Sequence, residues 1–129
     1  MSTTLAQFAR FALVGTIGFL TDVTVLVIGM RLGAGPYIAR VISFLCAAAV
    51  TWLLNRSFTF RTGPAVKSAE PLKYLAAMTA GGAANYSSYS LVVALFPHEP
   101  LAPVAGVAIG SIVGMGLNFA SAKWWVFNA

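Results

Sequence analysis

Side chains able to carry acid–base, nucleophilic or metal chemistry are scarce in this sequence: three acids, one histidine and one cysteine in 129 residues. They are scattered along the chain, whereas a metal needs several ligands converging on one point and acid–base hydrolysis needs paired groups. Neither arrangement is expected here, and no cofactor is implied. No glycine-rich loop ending in the lysine of an ATP-binding motif occurs. The chain reads as a non-enzyme. Cys46 lies alone in an apolar run, where a small buried residue is expected, and His98 with Glu99 sits in a short turn between Pro97 and Pro100.

What remains is a set of charges and amides inside apolar segments. Asp22 is the one acid within such a segment, and a charge there costs about 2.5 to 3.5 kcal/mol to insert, so it calls for a partner. At 1.5 Å per residue it stands roughly 18 Å from Arg10, while Arg40, on the next and antiparallel segment, stands roughly 22 Å from Asn55. The similar depths point to an Asp22–Arg40 pair, either structural or holding a guanidinium ready for an anionic headgroup. Asn55 with Arg56, and Asn118 with Lys123, form a second constellation at the segment ends, able to hold a lipid phosphate or to bond across helices. Asn85 opens a hydroxyl run, Tyr86 to Ser90, that suits either a sugar-accessible groove or interhelical bonding.

These residues must be positioned by membrane helices. Hydrophobic residues make up 59% of the chain and charged ones 9%, with a mean hydropathy of +0.84. A soluble domain carries roughly a quarter of its residues charged. Four runs have about the 20 residues needed to cross roughly 30 Å of hydrocarbon: 11–30, 37–54, 74–96 and 101–119. The expected fold is therefore an all-α membrane protein with four transmembrane helices in two tandem hairpins. Arg10, then Arg56, Arg61, Lys67 and Lys73, then Lys123 fall on one side, which places both termini and the central loop in the cytoplasm. The net charge of +5 thus follows membrane topology and is not a sign of nucleic-acid binding. Aromatic residues at Tyr37, Phe58, Phe60, Tyr74, Trp124, Trp125 and Phe127 suit the headgroup level.

One hairpin is written twice. At an offset of 63 residues Phe11 meets Tyr74, Gly18 meets Gly81, Asp22 meets Asn85 and Asn55 meets Asn118. A basic and aromatic tail follows in each half. Gly106, Gly110 and Gly114 are spaced by four, as expected where helix backbones approach closely.

The opening Arg10-Phe11-Ala12-Leu13-Val14-Gly15 with Gly18 and Asp22 resembles the GtrA-like family. So do the middle Ala39-Arg40-Val41-Ile42-Ser43-Phe44 leading to Leu54-Asn55-Arg56-Ser57-Phe58-Thr59-Phe60, and the closing Asn118-Phe119 with Lys123-Trp124-Trp125-Val126-Phe127. The likeness covers essentially the whole chain. It implies one multi-pass domain over 1–129 in the bacterial inner membrane, serving cell-surface polysaccharide synthesis by flipping a polyprenyl-phosphate-linked sugar. It also implies membrane lipids as surroundings and a glycosyltransferase as a possible partner. Four helices enclose little, so a homo-oligomer is expected. In this reading Arg56 and Lys123 receive the phosphate, Arg40 attracts it further across, and Asp22 moderates Arg40. The alternatives are a scaffold that recruits a glycosyltransferase and, more weakly, a small cation or multidrug exporter using Asp22.

Overall fold

The computed structural model describes residues 3–128. Within them the chain is helical: α1 (Thr3–Arg31), α2 (Pro36–Leu54), α3 (Glu70–Leu95) and α4 (Ala102–Ser121). Two π-helical turns prolong this order, π1 (Asn55–Thr59) running on from α2 and π2 (Ala122–Val126) running on from α4. No strand occurs among the described residues. The chain divides into two compact units, one ending at Pro71 and the other running from Leu72 to Asn128.

Three stretches are long and apolar enough to cross a membrane: Thr3–Arg31, Pro36–Thr59 and Ala102–Val126. α3 matches them in length with 26 residues. Its Asn85, Ser87, Ser88 and Ser90 and its glycine pair lower its apolar content below theirs. Burial in both units runs opposite to that of a soluble protein. Small or polar residues such as Gly18, Ala39 and Ser43, or Ala77, Gly110, Gly114 and Ala122, are inside, while Phe19, Leu20, Ile42, Leu45 and Ile112 face outward. Small residues let helix backbones approach, and apolar ones outside need no cover in lipid.

The first unit is an α1–α2 hairpin. α1 ends in a Schellman turn, in which Ala34 N–H donates to Gly29 O and Gly33 N–H to Met30 O. Gly33 supplies the left-handed residue at φ +98 that this motif needs. Pro36 then opens α2 at a position where its missing N–H costs nothing. In the second unit α3 and α4 form the corresponding hairpin. There a β-carbon on Gly110 would lie 2.5 Å from Asn85 Oδ1, and one on Gly114 would lie 3.0 Å from the Gly81 carbonyl oxygen. The four-residue spacing of glycines in α4 is thus a packing seam.

Comparison of the two units revises the repeat. Phe11 packs on Phe60 at 6.2 Å between ring centroids, and Tyr74 packs on Phe127 at 5.9 Å, with interplanar angles of 53° and 52°. Arg10 lies over the Phe58 ring and Lys73 over the Trp125 ring. A side chain on Gly18 would meet Thr51, and one on Gly81 would meet Asn118. First-helix residues therefore correspond at 63, as expected, but second-helix residues correspond at 67. Asn118 takes the place of Thr51 and not that of Asn55, while Lys123 takes the place of Arg56. The register shifts because the second unit has four more residues between the matched helix faces, two of them in the α3–α4 turn, 96–101 against 32–35, and the others at the helix ends that flank it.

Each π turn closes on a bond from the following aromatic residue, Phe60 N–H to Asn55 O and Phe127 N–H to Ala122 O, both 2.9 Å. Left-handed residues come next, Arg61 and Asn128, each at φ 51. Asparagine tolerates that region, whereas for arginine it costs about 1–2 kcal/mol.

Arg61→Gly is accordingly expected to raise thermal stability in detergent slightly, by about 1 kcal/mol, and an unchanged or lowered midpoint would argue against strain at that residue. Gly110→Leu should overpack the second hairpin and cost about 1–3 kcal/mol. Gly116→Leu, at a position where a β-carbon meets nothing within 4 Å, should leave the melting midpoint close to that of the parent.

Candidate functional site

Two ionic clusters lie in the first unit, at opposite ends of its hairpin. The first joins the helices near their turn. Arg40 stands one helical turn into α2, and its Nη1 donates to both oxygens of Asp22 at 2.5 and 2.7 Å. The depth argument from sequence placed these residues level, and the packing of α1 on α2 turns them toward each other. Ser43, one turn further along α2 and wholly buried, lies 3.3 Å from the same nitrogen and donates its own hydroxyl to the Arg40 carbonyl at 3.0 Å. The pair is lopsided in exposure, with the Arg40 side chain 55% accessible and that of Asp22 21%.

The second cluster centres on Arg56 in π1. Its Nε donates to Glu70 Oε1 at 2.8 Å, its Nη1 to the Gly63 carbonyl at 2.6 Å, and its Nη2 to the Ala65 carbonyl at 2.6 Å. Trp52, four residues earlier on the same face of α2, donates its indole N–H to the same Glu70 oxygen at 3.0 Å. Two donors thus converge on one buried carboxylate, and the segment between π1 and α3 is drawn into a closed loop. Thr62 tightens it further by donating both its N–H and its hydroxyl to the Arg56 carbonyl. The Arg56 guanidinium, expected from sequence to meet a headgroup, is enclosed by these protein acceptors.

Asn55 is buried beside it and accepts a 2.7 Å bond from the Thr59 hydroxyl, one π turn on. Lys123, in the Arg56 position of the second unit, is also buried, with its Nζ 5.8 Å from the Trp124 ring centroid. Asn85 and Asn118 face the α3–α4 glycine seam from opposite helices. Asn118 Oδ1 is buried there without a hydrogen-bond partner among the described residues. Asp22 and Arg40 are thus brought into direct contact, while Asn85 and Asn118 line one seam at separate levels, against Gly110 and Gly114 and against Gly81.

Glu70, Trp52 and Ser43 carry much of this geometry and were not singled out from sequence. A signal existed for two of them: Trp52 and Arg56 share a helix face at i, i+4, and Glu70 begins α3 just ahead of Pro71. Ser43 offered none, because a serine three residues after an arginine is unremarkable. Among the described residues no three of His, Cys, Asp and Glu gather as a metal site would require.

The sequence matches the family model described as GtrA/DPMS, transmembrane domain, over residues 10–127. No curated protein matches the chain.

Removing one partner of a buried ion pair leaves the other charge stranded, at a cost of about 3–5 kcal/mol. Glu70→Ala should therefore lower the unfolding midpoint in detergent markedly and open the 60–69 loop to protease. Glu70→Gln, which keeps an acceptor for Arg56 and Trp52 but loses the charge, should fall between alanine and the parent. An alanine variant with the parent's midpoint and protease resistance would show that the loop is not held through Glu70.

Proposed function

Since the chain belongs to the GtrA/DPMS transmembrane-domain family, whose setting is glycosyl-lipid processes in membranes, we propose that it translocates a polyprenyl-phosphate-linked sugar across the bacterial inner membrane. α3 crosses the membrane with the other three helices in this reading, and both termini lie in the cytoplasm, where basic residues accumulate. The observation that carries the proposal is the Asp22–Arg40 pair. A charged pair lies inside two helices of a very apolar chain, with its cation more than half accessible. Intramembrane ionisable residues are costly and mark the paths of polar cargo.

A lipid-linked sugar moves its phosphate and hydroxyls through hydrocarbon while its isoprenoid tail stays in lipid. A lateral polar surface suffices for that, and a closed pore would exclude the tail. Arg40, held by Asp22, meets the phosphate near the outer end, and the amides and hydroxyls of Asn85, Asn118 and the α3 run suit the neutral sugar. Arg56 and Lys123, buried at the cytoplasmic ends of the hairpins, fix the tails and the entry surface; Asn55 supports Arg56 through Thr59. Protomers associate, because four helices shield little of such a path. An inside-negative potential favours outward passage of the anion by about 2.3 kcal/mol per charge per 100 mV, so sugar consumption outside gives net export without ATP.

Liposomes holding only the purified protein and a fluorescent polyprenyl-phosphate sugar provide the test. Protein-dependent loss of the label from the loaded leaflet, several-fold faster than in empty liposomes, is expected. A well-folded protein that moves no lipid would overturn translocation and leave a scaffold that recruits a glycosyltransferase.

A further inference from the structure

The hydrogen bonds of Arg40 define more than an ion pair. All of its protein contacts fall on one nitrogen: Nη1 serves both Asp22 oxygens and Ser43 Oγ. Its Nε and Nη2 have no acceptor among the described residues, although both carry N–H groups. These two atoms form the side edge of the guanidinium, the two-pronged face that matches a phosphate or carboxylate. Arg56 provides the contrast, since its Nε, Nη1 and Nη2 all have protein acceptors.

Position narrows the occupant. Arg40 lies four residues into α2, about 6 Å along the helix from Pro36, where headgroups meet hydrocarbon in the leaflet next to the α1–α2 turn. Unmet N–H donors of a cation are costly away from bulk water. Among the acceptors at that level, the phosphate oxygens of a lipid match a two-pronged donor best.

We propose that the Nε–Nη2 edge of Arg40 is a binding site for a single lipid phosphate, with Asp22 remaining bound on the opposite side of the guanidinium as a permanent counter-ion. This rests on the translocation reading only for the identity of the lipid, because the site itself follows from the bonding of Arg40. The arrangement has a consequence for affinity. Asp22 has already neutralised the guanidinium, so a phosphate gains the directed hydrogen bonds but little net attraction. It binds specifically and leaves readily, as a transported lipid must. Ser43 contributes by fixing the α2 backbone at Arg40 and by crowding Nη1, which keeps Asp22 and the incoming phosphate on different edges.

The experiment measures binding, not movement. The full-length protein in phosphatidylcholine nanodiscs is titrated with a polyprenyl phosphate or with the matching polyprenol, and bound lipid is counted by native mass spectrometry. The parent should take up the phosphate and not the alcohol. Arg40→Lys keeps the charge and the Asp22 partner but loses the fork, and should bind about tenfold more weakly. Asp22→Asn should bind several-fold more tightly and release more slowly. The double variant Arg40→Ala with Asp22→Ala strands no charge, so it stays folded, and it should lose phosphate-specific uptake. Millimolar inorganic phosphate distinguishes the sources: failure to displace the lipid assigns the site to a headgroup, and displacement assigns the same fork to a soluble anion. Unchanged uptake in Arg40→Lys and the double variant, or equal uptake of the alcohol, would overturn the proposal. Arg40-dependent binding without translocation in liposomes would leave this site standing and remove the transport reading. Translocation with Arg40-independent binding would do the reverse.

Discussion

A bilayer interior supplies no hydrogen-bond partner, so polar groups in a membrane-spanning chain must be satisfied by the chain itself or by what it binds. Most features of this protein follow from that constraint. Backbone groups are satisfied along helices that continue without a break into the π turns, where Phe60 and Phe127 reach back five residues to Asn55 and Ala122. Hydroxyls on the helices donate back to their own helices, as Thr16, Thr21, Thr51 and Thr79 do. Charges pair. Against that background a donor left open at membrane depth, such as the outer edge of Arg40, stands apart from the rest.

Two arginines of α2 and its extension illustrate how the same side chain is put to different ends. Arg56 lies where the chain leaves the membrane, and the loop it encounters supplies a carboxylate and two carbonyls that wrap it completely. Its energy goes into local order, and it makes the junction between the hairpins a closed loop in place of a slack linker. Arg40 lies on the helix itself, where neighbouring carbonyls are committed to the helical ladder and cannot be recruited. α1 offers it a single carboxylate, and Ser43 of α2 adds one hydroxyl oxygen. Half of the guanidinium remains unserved for that geometric reason, not through any difference in the residue.

The sequence made the hairpins, the small-residue seam and the Asp22–Arg40 partnership legible, because each depends on helical spacing and on the insertion cost of charge. Relations set by turns were not. Asn118 looked like the counterpart of Asn55 because both precede a basic and aromatic tail, yet the extra residues in and beside the α3–α4 turn shift the second helix by four residues, one helical turn, and set Asn118 opposite Gly81. A slip of one turn preserves the face of a helix, so no pattern of apolar residues exposes it. Glu70 stayed hidden for a related reason. Its importance comes from the loop that brings it under Trp52 and Arg56, and loop closure leaves no periodicity to read. The third helix is a milder case: its length suits a span, while its amide and hydroxyl content sets it apart from the other three.

The corrected repeat also shows how the two hairpins have diverged. Asp22 corresponds to Asn85, Arg40 to Val107 and Ser43 to Gly110, so every polar member of the ion-pair cluster has a neutral counterpart in the second unit. Keeping both pairs would have placed four charges within apolar helices, where each is costly to insert. One charged hairpin and one amide-bearing hairpin halve that cost. The glycines of α4 follow from the same choice. The neutral Asn85 needs no long cationic partner to reach across the seam, and Gly110 and Gly114 let the helices close directly onto the amide.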